Sequence, residues 1–319
     1  MSSWMSRHPA LQTIYRTHIE PVENICQPSP LLPKPWREVE FSMREKTELL
    51  EEVKKYETLT DAVEQPRILL TGQIQAGKSS FINSVNSIFR GYPIFQAAVR
   101  YGKKSVTKHY RTYTISDSKG GGRLPFTFCD SMGMRGCDNE VGILSQDIIS
   151  VIDGYVPDNY EFDPIAAMST CKKCTERPSL ADQVHCIVYV IDASTASLLD
   201  KELLKMFQII QDKADRLGIP QLLLLTKVDF ACNIVKDDLT KVYESRYIHE
   251  TVLKVSQMVG VQVSCILPVR NYWCETELDM KVDILILKAL QQILRQADTF
   301  FDEMKQRGKR EEAPPLSNE

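Results

Sequence analysis

The stretch that most constrains the fold lies at residues 67–89, RILLTGQIQAGKSSFINSVNSIF. Its apolar start predicts a strand, and Phe81, Val85 and Phe89 recur at the spacing of one helix face. Between strand and helix, residues 72–79 match the pattern GxxxxGK[ST]. The sequence therefore predicts a phosphate-binding loop at the end of a buried strand.

Each residue type in this loop has a chemical reason. Glycines let backbone N–H groups turn inward around phosphate oxygens, and the helix that follows adds the positive end of its dipole. Lys78 would reach the terminal phosphates, as a catalytic and a binding residue, and the Ser79 hydroxyl would ligate Mg²⁺. The predicted nucleotide contacts of this loop are Gly72, Gln75, Ala76, Gly77, Lys78, Ser79 and Ser80.

Composition excludes several classes of protein. A chain of 319 residues that is 43% hydrophobic can bury a large core. Its net charge of -3 implies no overall attraction to nucleic acid or to an anionic membrane. Cys129, Cys186 and Cys265 lie in apolar, strand-like runs, where thiols act as small core residues. With no secretory signal and no apolar run near the roughly 20 residues of a membrane span, we expect a cytoplasmic protein without direct membrane insertion.

The rest of the chain alternates strand and helix patterns, which predicts an α/β fold: a mostly parallel central sheet with helices on both faces. Apolar runs predict further strands at 110–115, 125–129, 185–191, 221–225 and 261–266. The first two of these are joined by the turn sequence SKGGG, so that pair would be antiparallel. Helical patterns occupy 198–217, 237–259 and 278–304.

We expect four segments along the chain. Residues 1–35 form an irregular, proline-rich leader, and residues 36–62 contain an N-terminal amphipathic helix that packs on the next domain. Residues 63–304 form the nucleotide domain, and residues 305–319 form a disordered tail. Residues 136–182 are too long for one crossover and predict an insertion. It is either a lid or partner surface, or equally a loop without function.

Two later motifs decide between classes of nucleotide. Asp130 to Gly133 read DSMG; the carboxylate would hold Mg²⁺ through water, and the Gly133 N–H would touch a γ-phosphate. Thr226, Lys227 and Asp229 belong to TKVD, where the aspartate would accept hydrogen bonds from guanine N1 and N2 and the lysine would lie across the ring. Each motif ends a predicted strand, at the edge where open α/β sheets bind ligands.

In this order the motifs resemble those of the GTPase superfamily. The resemblance implies a P-loop GTPase (Ras-like) domain with GTP/GDP and Mg²⁺ as ligands. An adenine-nucleotide protein is disfavoured by TKVD.

Residues for the chemical step are less completely specified. Thr107 would bind Mg²⁺ and the γ-phosphate from the first switch loop, with Ser105 as the competing candidate. Met134 stands where many GTPases place a water-orienting Gln, so we expect slow intrinsic hydrolysis. Arg135 is either a transition-state cation or an ordinary surface arginine. Asn271 is a weak candidate for the loop that embraces the base.

Two further clusters carry weaker signals. A basic group around the first switch would meet nucleotide phosphates, an acidic partner or nucleic acid, or would simply be solvated; its members are Arg100, Lys103, Lys104, Lys108 and Arg111. A single CKKC at 171–174 predicts no zinc site, because its nearest partners, His185 and Cys186, alternate along a strand and point to opposite faces. We therefore predict no metal other than Mg²⁺, and the net charge of -3 argues against a nucleic-acid partner.

Three runs point to a narrower group. PWREV at 35–39, AGKSSFINSVNSIFRG at 76–91 and PVRNY at 268–272 resemble the interferon-induced protein 44 family. The resemblance implies a cytoplasmic, interferon-inducible GTP-binding protein in antiviral innate immunity. Longer members of that family carry a folded domain before PWRE, so any function of that domain does not carry over.

Two functions follow as hypotheses. The first is a slow GTPase switch; the second is a nucleotide-gated interaction or scaffold protein with negligible hydrolysis. The expected partners are guanine nucleotide, an unidentified protein, and, as one way to complete the catalytic site, a second copy of the chain in a nucleotide-dependent homodimer.

Overall fold

A six-stranded sheet organises the molecule. The structure is a computed structural model that describes residues 29–95, 97, 109–117, 122–134, 142–163 and 175–311. The strands are β1 (Arg67–Gly72), β2 (Arg111–Ser116), β3 (Arg123–Asp130), β4 (Cys186–Asp192), β5 (Gln221–Thr226) and β6 (Ile266–Pro268). They lie in the order β2-β3-β1-β4-β5-β6.

Among the described strands, only one neighbouring pair is antiparallel. The pairs of β1 with β3, β1 with β4, β4 with β5 and β5 with β6 are parallel, whereas β2 runs antiparallel to β3. Every residue of the central strand β4 is buried, as expected for a strand covered on both faces. This mostly parallel order, with the phosphate loop after β1, is the Ras-like arrangement, and the predicted α/β fold class is confirmed.

Eight α-helices occur in the described part of the chain: α1 (Met43–Lys54), α2 (Lys78–Arg90), α3 (Ser145–Ile152), α4 (Lys201–Leu217), α5 (Val228–Ala231), α6 (Asn233–Asp237), α7 (Arg246–Val259) and α8 (Met280–Glu311). Helix α8 contacts α1 and α2, while α4 contacts α3 and α7. None of the described helices combines the length and hydropathy that crossing a bilayer requires.

Several predicted boundaries shift. Within residues 36–62 the structure has the helix α1, which buries Leu49 and Val53. The helix begins after Ser42, and the Ser42 side chain accepts a hydrogen bond from Glu45 N. The predicted helix 237–259 is broken at the buried Ser245, because this side chain caps α7 by accepting from Ile248 N.

The predicted tail also shifts. Helix α8 continues to Glu311, so the part of the tail from 305 to 311 is helical.

The predicted strand 261–266 is wrong except at its last residue. Val263–Cys265 form a 3₁₀ turn, and the strand β6 begins only at Ile266. The guanidinium of Arg37 lies 3.2 Å from Val263 O and 3.3 Å from Ile266 O, and so supplies hydrogen bonds to two carbonyls of this segment. Cys265 is accordingly half-buried, whereas Cys129 and Cys186 are buried as predicted.

The residues before α1 are irregular but attached. Leu32 N donates to Glu244 O at 2.8 Å, and Arg246 N donates to Pro30 O at 3.0 Å. The Trp36 ring packs edge-on against Tyr243, with ring centroids 5.0 Å apart. This part of the predicted leader is therefore held along the start of α7; residues 1–28 lie outside the described residues.

The insertion packs against the edge strand of the sheet. Within its described part, α3 buries Ile148, Val151 and Ile152. The following loop donates from Asn159 N to the carbonyl of Tyr110 at 2.8 Å, and Asp158 Oδ1 accepts from Thr112 N at 2.6 Å. These bonds cover the outer edge of β2 at its first residues.

Candidate functional site

Three predicted motifs meet at one edge of the sheet. The strands β1, β3 and β5 are mutually oriented in parallel, so their carboxyl ends lie on the same side. The GxxxxGKS loop follows β1, the DSMG segment begins at the end of β3, and TKVD begins at the end of β5.

The phosphate loop has the backbone that its glycines predict. Gly72 and Gly77 have φ of 143° and 99°, and Gln75 has φ of 63°. A Cβ at Gly72 would stand 2.3 Å from Val190 O, so β1 and β4 approach as closely as they do only because this residue is glycine. The conformation of the loop therefore requires glycine at positions 72 and 77.

Lys78, the first residue of α2, folds back over the loop. Its Nζ donates to Gly72 O at 3.1 Å and to Gln73 O at 2.8 Å. Burial lowers the pKa of Lys78 to about 8, although Asp130 acts in the opposite direction. A phosphate placed in the loop would supply the countercharge that favours the protonated lysine.

Ser79 and Asp130 form the pair predicted to hold a cation. Ser79 Oγ donates to Asp130 Oδ2 at 2.7 Å, while the buried Oδ1 of the same carboxylate has no hydrogen-bond partner among the described residues. Burial raises the pKa of Asp130, and Lys78 and Ser79 partly oppose that rise. A hydroxyl beside a carboxylate oxygen without a partner is a donor set that suits a hard cation such as Mg²⁺.

The segment after Asp130 lies against the phosphate loop. Met134 N donates to Gly72 O at 2.9 Å, and Ile74 N donates to Met134 O at 3.3 Å, so the two backbones form a short parallel bridge. A Cβ at Gly133 would stand 2.5 Å from the Ile74 side chain. Only glycine therefore allows this close approach, which places the Gly133 backbone beside the loop.

Thr226 and Lys227 have supporting contacts that the sequence did not show. Thr226 is fully buried, and its hydroxyl donates to Ala76 O at 2.5 Å. Lys227 adopts φ of 56°, and its Nζ lies 2.6 Å from Asp192 Oδ2. Asp192 ends β4 at the same sheet edge. Its position at the end of an apolar run is the sequence signal that could have identified it as a residue of this edge.

Asp229, the predicted base-reading carboxylate, lies in the first turn of α5. Arg270 Nε is 3.5 Å from Asp229 Oδ2, and Arg270 Nη2 is 2.7 Å from Glu275 Oε1. Burial raises the pKa of Asp229, and Arg270 opposes this shift. Arg270 and Glu275 thus lie beside the predicted base-reading carboxylate, and the sequence analysis did not single out either of them.

Asn271, the weakest sequence candidate, contacts the phosphate loop directly. Its Nδ2 donates to Gly77 O at 3.2 Å, and a Cβ added at Gly77 would stand 2.9 Å from that nitrogen. The Asn271 Oδ1 is buried and has no hydrogen-bond partner within the described ranges. The loop after β6 therefore belongs to the same cleft as the phosphate loop.

Some predicted residues lie outside the described part of the chain. These are Thr107, Ser105, Arg135, the basic residues Arg100, Lys103, Lys104 and Lys108, and the CKKC run at 171–174. Their assignments stay predictions.

His185, weighed as a metal ligand from the sequence, has both ring nitrogens engaged, one by Arg67 N at 2.8 Å and the other by Leu180 O at 2.9 Å. In the described ranges, no cluster of three His, Cys, Asp or Glu side chains is arranged to hold a metal ion.

The strand order and the three converging loops define a phosphate-loop domain of the Ras-like class. The chain is 38% identical over 259 residues to human interferon-induced protein 44-like, covering 80% of this chain and 57% of that protein. It is 36% identical over 257 residues to human interferon-induced protein 44, with the same coverage of 80% and 57%. The mouse interferon-induced protein 44 is 35% identical over 257 residues, 80% of this chain and 60% of that protein.

These relatives confirm the resemblance to the interferon-induced protein 44 family. The chain spans less than two thirds of the length of each of these three relatives. No family model matches the chain.

Solved structures show a weaker likeness. A probable GTP-binding protein engB gives a TM-score of 0.38 at 13% identity, covering 72% of this chain and 99% of that one. Toc33 from Arabidopsis thaliana, solved with Mg²⁺ and GMPPNP, gives a TM-score of 0.41 at 16% identity, covering 80% and 92%. The fold assignment therefore rests on the strand order of this chain.

Proposed function

We propose that the chain binds guanine nucleotide with Mg²⁺ and acts as a slow GTPase switch. The observation that carries this proposal is that the base-reading loops are bonded to the phosphate loop. Thr226 donates to Ala76 O at 2.5 Å and Asn271 donates to Gly77 O at 3.2 Å. One ligand that carries both phosphates and a purine base would fill a single cleft between these loops.

Each residue has a distinct part in binding. The phosphate-loop amides and Lys78 would hold the phosphates, and Ser79 with Asp130 would hold Mg²⁺, which neutralises phosphate charge. Lys227, held by Asp192 at 2.6 Å, would lie along the base. Asp229 would accept the guanine N–H groups, which adenine does not offer at these positions.

Base specificity tests the proposal. Asp229→Asn turns one carboxylate oxygen into a donor, so the variant should lose guanine preference and favour xanthine nucleotides. The measurement is competition of GDP, XDP and ADP against a fluorescent nucleotide, with Lys78→Ala as the variant expected to bind none of them. A variant that keeps guanine preference would show that Asp229 does not read the base.

A second candidate is a nucleotide-gated interaction protein with negligible turnover. Met134 stands where a water-orienting glutamine would be expected, is buried, and is bonded through its backbone to Gly72 O. Its thioether offers no hydrogen bond of the strength needed to orient water. GTP turnover per molecule, measured over a wide range of protein concentrations, separates the candidates. Activity that rises with concentration supports a homodimer that completes the site; bound GTP without turnover supports the interaction protein.

The names of the relatives extend the proposal to the cell. We infer an interferon-inducible, cytoplasmic protein with a part in antiviral innate immunity, supported by relatives that are named as interferon-induced. Transcript levels after interferon treatment, cell fractionation and viral yield after deletion test these three statements separately. An unchanged transcript level would oppose the first of them.

A further inference from the structure

We propose that α1, which precedes the phosphate loop, positions the nucleotide cleft through a buried relay from Lys46 to Asp283 to Tyr272. This inference rests on the proposed function, because it concerns the affinity of the same cleft. It assigns to α1 a coupling role that none of the three nucleotide motifs contains.

The relay starts at the interface between α1 and α8. Lys46 Nζ lies 2.6 Å from Asp283 Oδ2, and the Asp283 side chain is fully buried. A buried carboxylate needs a countercharge and hydrogen bonds, since an unpaired buried charge is strongly destabilising. Lys46 supplies the opposite charge beside Asp283 Oδ2 and ties this carboxylate to α1.

Tyr272 carries the relay into the loop after β6. Its hydroxyl donates to the second oxygen of Asp283, Oδ1, at 2.7 Å and accepts from Asp279 N at 2.7 Å. The ring is buried, and the backbone N–H of the same residue donates to Ser84 Oγ in α2 at 2.9 Å. Tyr272 is thus held at both ends by helices on either side of the loop.

Asn271 is the residue that this arrangement positions. It directly precedes Tyr272 and donates to Gly77 O of the phosphate loop at 3.2 Å. Losing the hydroxyl bonds removes one of the two restraints on Tyr272 and leaves only the bond from its N–H to Ser84, so the Asn271 amide would contact Gly77 for a smaller fraction of the time. Nucleotide would then leave faster.

The coupling is reciprocal. If docked α1 raises nucleotide affinity, bound nucleotide must strengthen the docking of α1 by the same factor. A segment or protein that displaces α1 from α8 would therefore release nucleotide.

The experiment uses the full chain with three variants. Tyr272→Phe keeps the ring and removes only the hydroxyl; Lys46→Met removes the charge and keeps the aliphatic stem. Lys288→Met is the matched control, because Lys288 also pairs across the interface of α1 and α8, with Glu45, at a point away from Tyr272. Dissociation of fluorescent GDP and thermal unfolding are measured for each.

The expected result separates the relay from general destabilisation. Tyr272→Phe and Lys46→Met should each speed GDP release by roughly tenfold, and the double variant should be no faster than either single variant. Lys288→Met should lower the melting temperature while leaving the release rate unchanged. Wild-type release in Tyr272→Phe, or equal release in Lys46→Met and Lys288→Met, would overturn the proposal.

A second readout works without nucleotide. Hydrogen exchange of the backbone amides from 269 to 272 in nucleotide-free protein should be faster in Tyr272→Phe and Lys46→Met than in the wild type or Lys288→Met. If wild-type protein binds no guanine nucleotide but shows this exchange pattern, the proposed function fails while the relay stands. Unchanged exchange in both test variants would remove the relay itself.

Discussion

The two ends of the sheet satisfy their buried polar groups in different ways. At the amino ends of β1 and β4, His185 accepts from Arg67 N through Nδ1 and pairs with Leu180 O through Nε2. At the carboxyl ends, Asp130 and Asn271 each keep a buried oxygen that has no hydrogen-bond partner among the residues described. At the amino end His185 is fully paired within the protein, and the buried atom without a partner there is a donor, Arg67 Nε, whereas the carboxyl end leaves two acceptors that a ligand can use.

Backbone strain follows the same division. Gln75 and Lys227 are two of the three non-glycine residues with positive φ in the described part of the chain, and both lie at the carboxyl end. Such conformations cost of order 1–3 kcal/mol and persist where the surroundings enforce them. The comparison predicts that substitutions at the amino end alter stability, whereas those at the carboxyl end alter binding.

The largest expected effect is at His185. The pKa of His185 is lowered from 6.5 to about 4, mainly because the ring is buried. Protonation of Nδ1 would also break the hydrogen bond that this nitrogen accepts from Arg67 N. The unfolded chain therefore takes up a proton first as pH falls, and stability should drop by up to about 3 kcal/mol between about pH 6.5 and about pH 4. Urea unfolding of wild type and His185→Gln, which offers both a donor and an acceptor, measures this.

The control for this prediction is nucleotide affinity. His185→Gln should lose less stability than wild type on acidification and bind GDP as tightly as wild type near pH 7. Equal acid sensitivity of both proteins would assign the loss to other groups. A change in GDP affinity would break the separation between the two ends of the sheet.

Asp130 should show the reverse behaviour. Asp130→Asn removes a buried charge whose Oδ1 has no described partner, so the nucleotide-free protein should be as stable as wild type or more so. Mg²⁺-dependent nucleotide affinity should fall by about 100-fold, the upper range for residues that act on a metal through its bound ligands. Melting curves without nucleotide and GDP titrations with Mg²⁺ or with EDTA measure the two effects. A large loss of stability without ligand would contradict the assignment.

The sequence predicted what is encoded in short runs of residues. The phosphate loop, DSMG and TKVD were recognised because each is contiguous and ends an apolar strand, and the strand order then brought them together. The pairs Lys227 with Asp192 and Arg270 with Asp229 were missed, because their members are distant in sequence and meet only in the folded sheet.

The prediction of a strand at 261–266 was wrong for a related reason. Apolar periodicity reports burial, not backbone pairing. Val263–Cys265 form a 3₁₀ turn, and the carbonyl of Val263 accepts from Arg37, more than two hundred residues earlier in the chain. The relay from Lys46 to Asp283 is equally long-range. Contacts of this kind can be identified only when the fold is known.

The smallest expected effect is at Arg270. It separates, within the carboxyl end of the sheet, a residue that acts through Asp229 from one that contacts the nucleotide itself. This side chain is the described cation nearest to Asp229, at 3.5 Å, and is itself held by Glu275 at 2.7 Å. Because burial already raises the pKa of Asp229 and Arg270 opposes that rise, Arg270→Met should raise it further. A larger fraction of Asp229 is then protonated as pH falls, and a protonated carboxyl accepts poorly from guanine N–H groups.

The pair is partly exposed, so the loss of GDP affinity in Arg270→Met should be negligible near pH 7 and should reach only about threefold toward pH 5, corresponding to ~0.7 kcal/mol. Titrations of GDP into wild type, Arg270→Met, Asp229→Asn and the double variant test whether the effect passes through Asp229. If it does, Arg270→Met costs nothing further once Asp229 is Asn. The same threefold loss in the Asp229→Asn protein would instead mean that Arg270 contacts the nucleotide itself. The charge of Asp229 would then not depend on Arg270.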